Sequence, residues 1–288
     1  MKKQLKLWSS LSVVTLVGAG ALSGCDGGKP ASAVSDDATQ VHAAQPSAAP
    51  DSSTHIHDPA QEVIGAEGEG MSEDADPRAD DVVFLGQIGQ IRGHLLVGMA
   101  LFRAGHLDHA RTHMKHPEDE LYAALKPAFH ARGIVPFDDA LTGLAQAVEE
   151  GKDSAEVESA YSALLTELSR VEAAVDASAQ DKLLVAVGLV RTAGEEYGIA
   201  VADDGSLLNA HEYQDAFGFV KTADAIVASI DSGGDEGLAG AVADSKALLE
   251  PLYTAWPSLI PPESLEPTIP SKLYGVAANM ELEARALE

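Results

Sequence analysis

From Asp81 onward, apolar residues recur at helical spacing, Ala, Leu and Glu dominate, and β-branched runs are short. Such residues lose little side-chain freedom in a helix, so the pattern predicts helices almost throughout. The expected fold class is all-α: a helical bundle built from antiparallel helix hairpins, following a disordered N-terminal tether. Helices are expected near 82–104, 106–116 with a kinked continuation to about 131, 137–150, 154–177, 180–202, 210–231, 236–254 and 271–287. Gly105 separates the first two into a hairpin. Pro117 lacks an N–H and clashes with the turn before it, so the second helix should kink or restart there. Asn209 followed by Glu212 reads as a helix N-cap with a capping-box partner.

Residues 81–288 can bury a sizeable core in one domain or two small halves. The segment Leu96-Val97-Gly98-Met99-Ala100-Leu101 echoes Leu184-Val185-Ala186-Val187-Gly188-Leu189. Leu121-Tyr122 with Pro127 likewise echoes Leu252-Tyr253 with Pro257. A duplication would divide the domain into related halves, 81–178 and 179–288.

The N-terminal segment has a different composition. Lys2, Lys3 and Lys6 precede an apolar stretch from Leu11 to Leu22, too short and wrongly flanked for a lasting transmembrane helix. Leu22-Ser23-Gly24-Cys25 resembles a bacterial lipoprotein box. The resemblance implies a signal peptide over 1–24, cleavage before Cys25, and lipidation of that residue with palmitate and related acyl chains. Asp26 fits retention at the inner membrane, so the expected location is the periplasmic face of the envelope. Residues 25–80 are rich in Ala, Ser, Asp, Gly and Pro and cannot bury enough surface to offset their entropy. They read as a tether; His42, His55 and His57 within it would hold a metal only loosely.

Cys25 is the only cysteine, so disulfides, iron–sulfur clusters, thiolate zinc sites and CxxCH haem attachment are excluded from the folded part. Any metal there must be held by nitrogen and oxygen. Without residues 1–24 the chain carries 16 basic and 45 acidic side chains, a net charge of −29. Such a surface repels nucleic acid and gathers cations.

His106, His109, His113 and His116 fall at steps of three, four and three residues, with Glu120 four further on. On a helix all five project within roughly 80° of one face. Pivoting the hairpin about Gly105 brings residues whose numbers sum to about 210 opposite each other, so His94 lies level with His116. Imidazole is the commonest protein ligand for transition metals, and an adjacent carboxylate suits iron, zinc or copper. The expected metal site is therefore His106, His109, His113, His116, His94 and Glu120. Haem is the weaker alternative, because it wants a wide apolar slot and one or two axial ligands, with Met99 or Met114 as thioether candidates.

The runs Glu195-Glu196-Tyr197-Gly198-Ile199-Ala200-Val201 and Asn209-Ala210-His211-Glu212-Tyr213-Gln214-Asp215-Ala216-Phe217 carry a resemblance of another kind. Over about residues 183–230 the chain resembles the helical periplasmic region fused to, or encoded with, bacterial high-affinity iron permeases. The Arg-Glu-Gly-Xaa-Glu motifs of the permease's transport helices are missing. The resemblance implies an accessory of iron uptake with an inner-membrane metal permease as partner. Glu196, Tyr197, His211 and Glu212 offer a second set of oxygen and nitrogen ligands, while Tyr213 and Phe217 at i, i+4 read as core.

The chain lacks a Gly-rich phosphate loop, a Gly-Xaa-Ser-Xaa-Gly elbow and a His-Glu-Xaa-Xaa-His motif, so no enzyme is expected. The Gly-Xaa-His-Xaa-Xaa-Glu signature of imelysin-like proteins also fails, because Val97 stands where Glu is required. The expected function is a lipid-anchored periplasmic protein that binds a transition metal, iron favoured over copper or zinc. A metal-free helical interaction module of an envelope assembly is the alternative.

Overall fold

The computed structural model describes residues 75–266 and 270–287. The signal peptide, Cys25, His42, His55, His57 and most of the tether lie outside the described residues. Among the described residues there are nine α-helices and no strand, only two isolated bridges. None of these helices is long and apolar enough to cross a membrane.

The first helix, α1 (Asp81–Arg103), opens on Asp80, whose carboxylate accepts from the N–H groups of Val82 and Val83. Its apolar residues surround the axis, and Phe84, Ile88, Ile91, Leu95 and Met99 are all fully buried. A helix apolar on every side must be central. It packs against α2 (Leu107–His116), α6 (Ala179–Ala200) and α7 (Ala210–Ser229). The helix ends in a Schellman turn, with Gly105 at φ 82°, Gly105 N–H on Phe102 O and His106 N–H on Leu101 O. That turn reverses the chain into α2, as the sequence predicts.

Pro117 does not stop the second helix. The chain widens into a π-helical turn, Pro117–Tyr122, and continues as α3 (Ala123–Arg132). A wider turn absorbs the missing N–H while keeping the helical direction, and such turns recur beside functional sites. Next comes the hairpin of α4 (Asp138–Glu149) and α5 (Ser154–Ala173), turned by Gly151 at φ 65°. The remaining helices, α6, α7, α8 (Glu236–Leu249) and α9 (Pro270–Arg285), make up the second half. Ser178 and Asp181 form a reciprocal capping box at the start of α6. At α7, Asn209 accepts from His211 N–H, and its amide donates to Glu212 Oε1 at 3.2 Å. Glu212 thus bonds the cap's side chain rather than its backbone, so the expected reciprocal box does not form.

One contact decides where the functional residues meet. A Cβ built on Gly218 of α7 would lie 2.6 Å from the Gly93 carbonyl oxygen of α1, and one on Gly93 would lie 2.6 Å from Phe219 Cδ1. The two helices therefore cross almost backbone to backbone. His94 follows Gly93, and Asp215 lies one turn before Phe219 on α7. The close crossing brings their side chains together.

Candidate metal centre

Three helices converge on one buried carboxylate. Asp215 Oδ1 lies 2.6 Å from His94 Nδ1 and 3.0 Å from His113 Nδ1, while Oδ2 lies 3.2 Å from His211 Nδ1. His94 comes from α1, His113 from α2, and His211 with Asp215 from one face of α7 at i, i+4. His94, His113 and Asp215 are 0 % exposed. Their ligand atoms all lie within 4.8 Å of one another, so the group could hold one metal ion. His116, half-buried, meets His211 on the other side, with ring nitrogens 3.1 and 3.3 Å from His211 Nε2. The hairpin register predicted from Gly105 also appears here, as the His94 and His116 rings lie 6.1 Å apart.

Hydrogen bonding determines which nitrogen of His113 is available. Gln214 Nε2 donates to the Leu259 carbonyl at 3.1 Å, which orients the amide and turns Oε1 toward His113 Nε2 at 2.9 Å. A carbonyl oxygen can only accept, so His113 Nε2 carries the proton. In the neutral ring Nδ1 then presents a lone pair to the Asp215 carboxylate. Neither His113 Nδ1 nor the carboxylate oxygens have a well-directed hydrogen bond among the described residues. Two lone pairs facing at 3.0 Å repel unless a cation, a second proton or a metal ion, lies between them.

Burial alone would push the Asp215 carboxyl up, but positive charge on the facing rings of His94, His113 and His211 outweighs it and holds the group well below the usual carboxylate range. With the rings neutral, a bound cation would have to supply that charge. Burial pushes His211 down to about 3; Asp215 opposes this, and the neighbouring imidazoles add to it. His211 is thus neutral near pH 7, the form in which imidazole binds metal.

A pH prediction follows for metal-free protein. Unfolded His211 titrates near 6.5 and folded His211 near 3, so between those values the unfolded chain binds a proton that the native chain does not. Stability rises with pH through that window and is lost as pH falls from about 6.5 toward 3. Asp215 adds a further loss that sets in near pH 3.8, where the unfolded carboxyl takes up a proton that the native one does not. Thermal melts at pH 7, 5.5 and 4.5 should show a falling midpoint; an unchanged midpoint would contradict the buried neutral His211.

The expected ligands divide as follows. His94, His113 and His116 from the first set come together with His211 from the second. His106 does not join them. It is the residue that closes the Schellman turn, so it lies off the helix and is exposed. His109 sits one turn nearer Gly105 than His113 and stays half-exposed at the level of the last turn of α1. Glu120 has its backbone in the π-helical turn, but its side chain lies outside the described residues.

The second set also has other roles. Tyr197 stacks edge-on against Trp256 at 5.5 Å and lies 6.2 Å from Tyr213, so its ring belongs to an aromatic core. Glu196 is buried on α6 near Tyr274 of α9, and Glu212 serves Asn209. Asp215 is not among the ligands expected from the sequence, although His211-Xaa-Xaa-Xaa-Asp215 spacing on a helix is itself a ligand pattern.

Residues 172–286 match the family model of the iron permease-associated 4-helix bundle domain. The match spans α6, α7, α8 and α9, and it encloses the 183–230 segment whose motifs resemble the helical region linked to iron permeases. It also contains His211 and Asp215, whereas His94, His113 and His116 come from the hairpin that precedes it. No curated protein and no solved structure matches the chain.

Proposed function

We propose that this protein binds one transition metal ion between α1, α2 and α7 and serves iron uptake as an accessory to an inner-membrane permease. The observation that carries this reading is the buried contact between His113 Nδ1 and Asp215 Oδ1 at 3.0 Å, with His94 Nδ1 at 2.6 Å from the same oxygen. Two imidazoles and one carboxylate on one side of an ion are a ligand set suited to ferrous iron. The iron permease-associated domain over 172–286 supports iron over zinc or copper. Gln214 is the outer support that fixes the ring of His113. The role is binding and delivery rather than catalysis. Haem receives less support, since His94, His113, His116 and His211 gather with Asp215 in one cluster, whereas haem iron takes one or two axial ligands.

Elemental analysis and calorimetry on untagged protein test the reading. Wild type should bind one ferrous ion per chain, and His106→Ala with His109→Ala should bind it equally well. Protein that takes up no metal would favour the interaction-module alternative.

Lipid anchoring through Cys25 on the periplasmic face is part of the same proposal. It rests on the basic n-region, the apolar stretch and the Leu22-Ser23-Gly24-Cys25 box. Cys25→Ser removes the thiol that would carry the acyl chain, so the variant should accumulate unprocessed or leave the membrane fraction. Unchanged fractionation and unchanged mass would end the lipoprotein reading.

A further inference from the structure

We infer that the histidine cluster is a two-position metal path, in which His116 and His211 capture an ion at the surface and pass it to His94, His113 and Asp215. The inference rests on the proposed metal-binding function and deepens it. His211 carries the argument, because its ring faces two ways. Nδ1 lies 3.2 Å from Asp215 Oδ2, and Nε2 lies within 3.1–3.3 Å of His116. Exposure separates the two positions. Asp215 and His94 are 0 % exposed, the His211 side chain is 16 % exposed, and His116 is half-buried. His116 also lines a cleft of about 600 Å³ between α2 and α4, together with Thr112, Glu118, Thr142 and Glu149.

The carboxylate is placed to serve both positions. Oδ1 faces the inner imidazoles and Oδ2 faces His211, so an ion can exchange ligands stepwise without leaving the anion. Simultaneous occupancy is disfavoured. Two dications repel four times as strongly as two single charges at equal distance, and among the described residues Asp215 is the carboxylate that links the two positions. The outer position is therefore a transient stop, and one ion resides at equilibrium.

A capture residue changes rates and leaves affinity alone. Stopped-flow mixing of the full chain with cobalt(II), read by its visible absorption, distinguishes the two. His116→Ala should lower association and dissociation rates by about tenfold each, with the equilibrium constant within about twofold of wild type. His116→Asp restores an oxygen ligand at the mouth and should recover most of the association rate, an outcome that a folding defect would not produce. Equal rates in wild type and His116→Ala would overturn the path while leaving the buried site intact. A hundredfold loss of affinity in His116→Ala would make His116 a resident ligand and also overturn it. Two ions bound per wild-type chain would contradict the transient outer stop, and wild type that binds no cobalt would remove both the path and the proposed metal centre.

Discussion

Asp215→Ala weakens metal binding by about 100-fold or more, roughly 2.8 kcal/mol, the largest single effect expected at the centre. Asp215 contacts His94, His113 and His211 together, and it supplies negative charge that offsets a buried cation. Calorimetry with ferrous iron under anaerobic conditions measures the loss. Asp215→Asn keeps the shape and an oxygen ligand but not the charge, so it should fall between wild type and the Ala variant. Gln214→Leu acts at one remove. It frees the His113 ring from its tautomer and orientation, and should weaken binding by about 10–100-fold. Binding unchanged in Asp215→Ala would show that the carboxylate serves the fold alone.

Gly218→Val should damage fold and site together. A Cβ at that position would meet the Gly93 carbonyl oxygen at 2.6 Å, its carbon at 3.0 Å and Val97 Cγ2 at 2.9 Å. Backbone cannot rotate away as a side chain can, so α1 and α7 must separate. Overpacking of this kind costs about 1–3 kcal/mol, and a domain of this size loses about 2–4 °C of melting temperature for each kcal/mol. Metal affinity should fall with stability, because separating the helices pulls His94 of α1 away from Asp215 of α7. Gly143→Ala in α4 is the control. A Cβ there meets nothing within 4 Å, so better helix propensity should raise stability by up to about 1 kcal/mol. A Gly218→Val protein that melts like wild type would contradict the close crossing.

Much of the fold was legible because helical periodicity and its punctuation are local. Gly105 and the apolar runs on either side define the first hairpin, and the same pivot predicts that His94 faces His116. Pro117 was expected to interrupt α2, and a π-helical turn is the form the interruption takes. Half of the centre was legible for the same reason, since His113 and His116 follow from helical spacing. The rest depends on tertiary approach. Nothing in the spacing of residues 94–116 indicates that α7, about 100 residues later, packs its first two turns onto them. His211 and Asp215 share one face of α7, but without a visible partner the capping and core roles of their neighbours explained that stretch equally well. Helical spacing extends through His106 and puts it on the stripe, yet the Schellman turn takes that residue for its own hydrogen bond. Glycine pairing across helices is likewise silent in sequence, because Gly93 and Gly218 acquire meaning only where the two backbones meet.

The most direct measurement is a crystal structure of the ferrous-loaded protein, with anomalous differences recorded on both sides of the iron edge. One strong peak is predicted about 2.0–2.2 Å from His94 Nδ1, His113 Nδ1 and an Asp215 oxygen, at ordinary metal–ligand distances for nitrogen and oxygen. A loaded crystal whose iron peak lies at His106 and His109, or on Glu196 and Glu212, would contradict the buried centre.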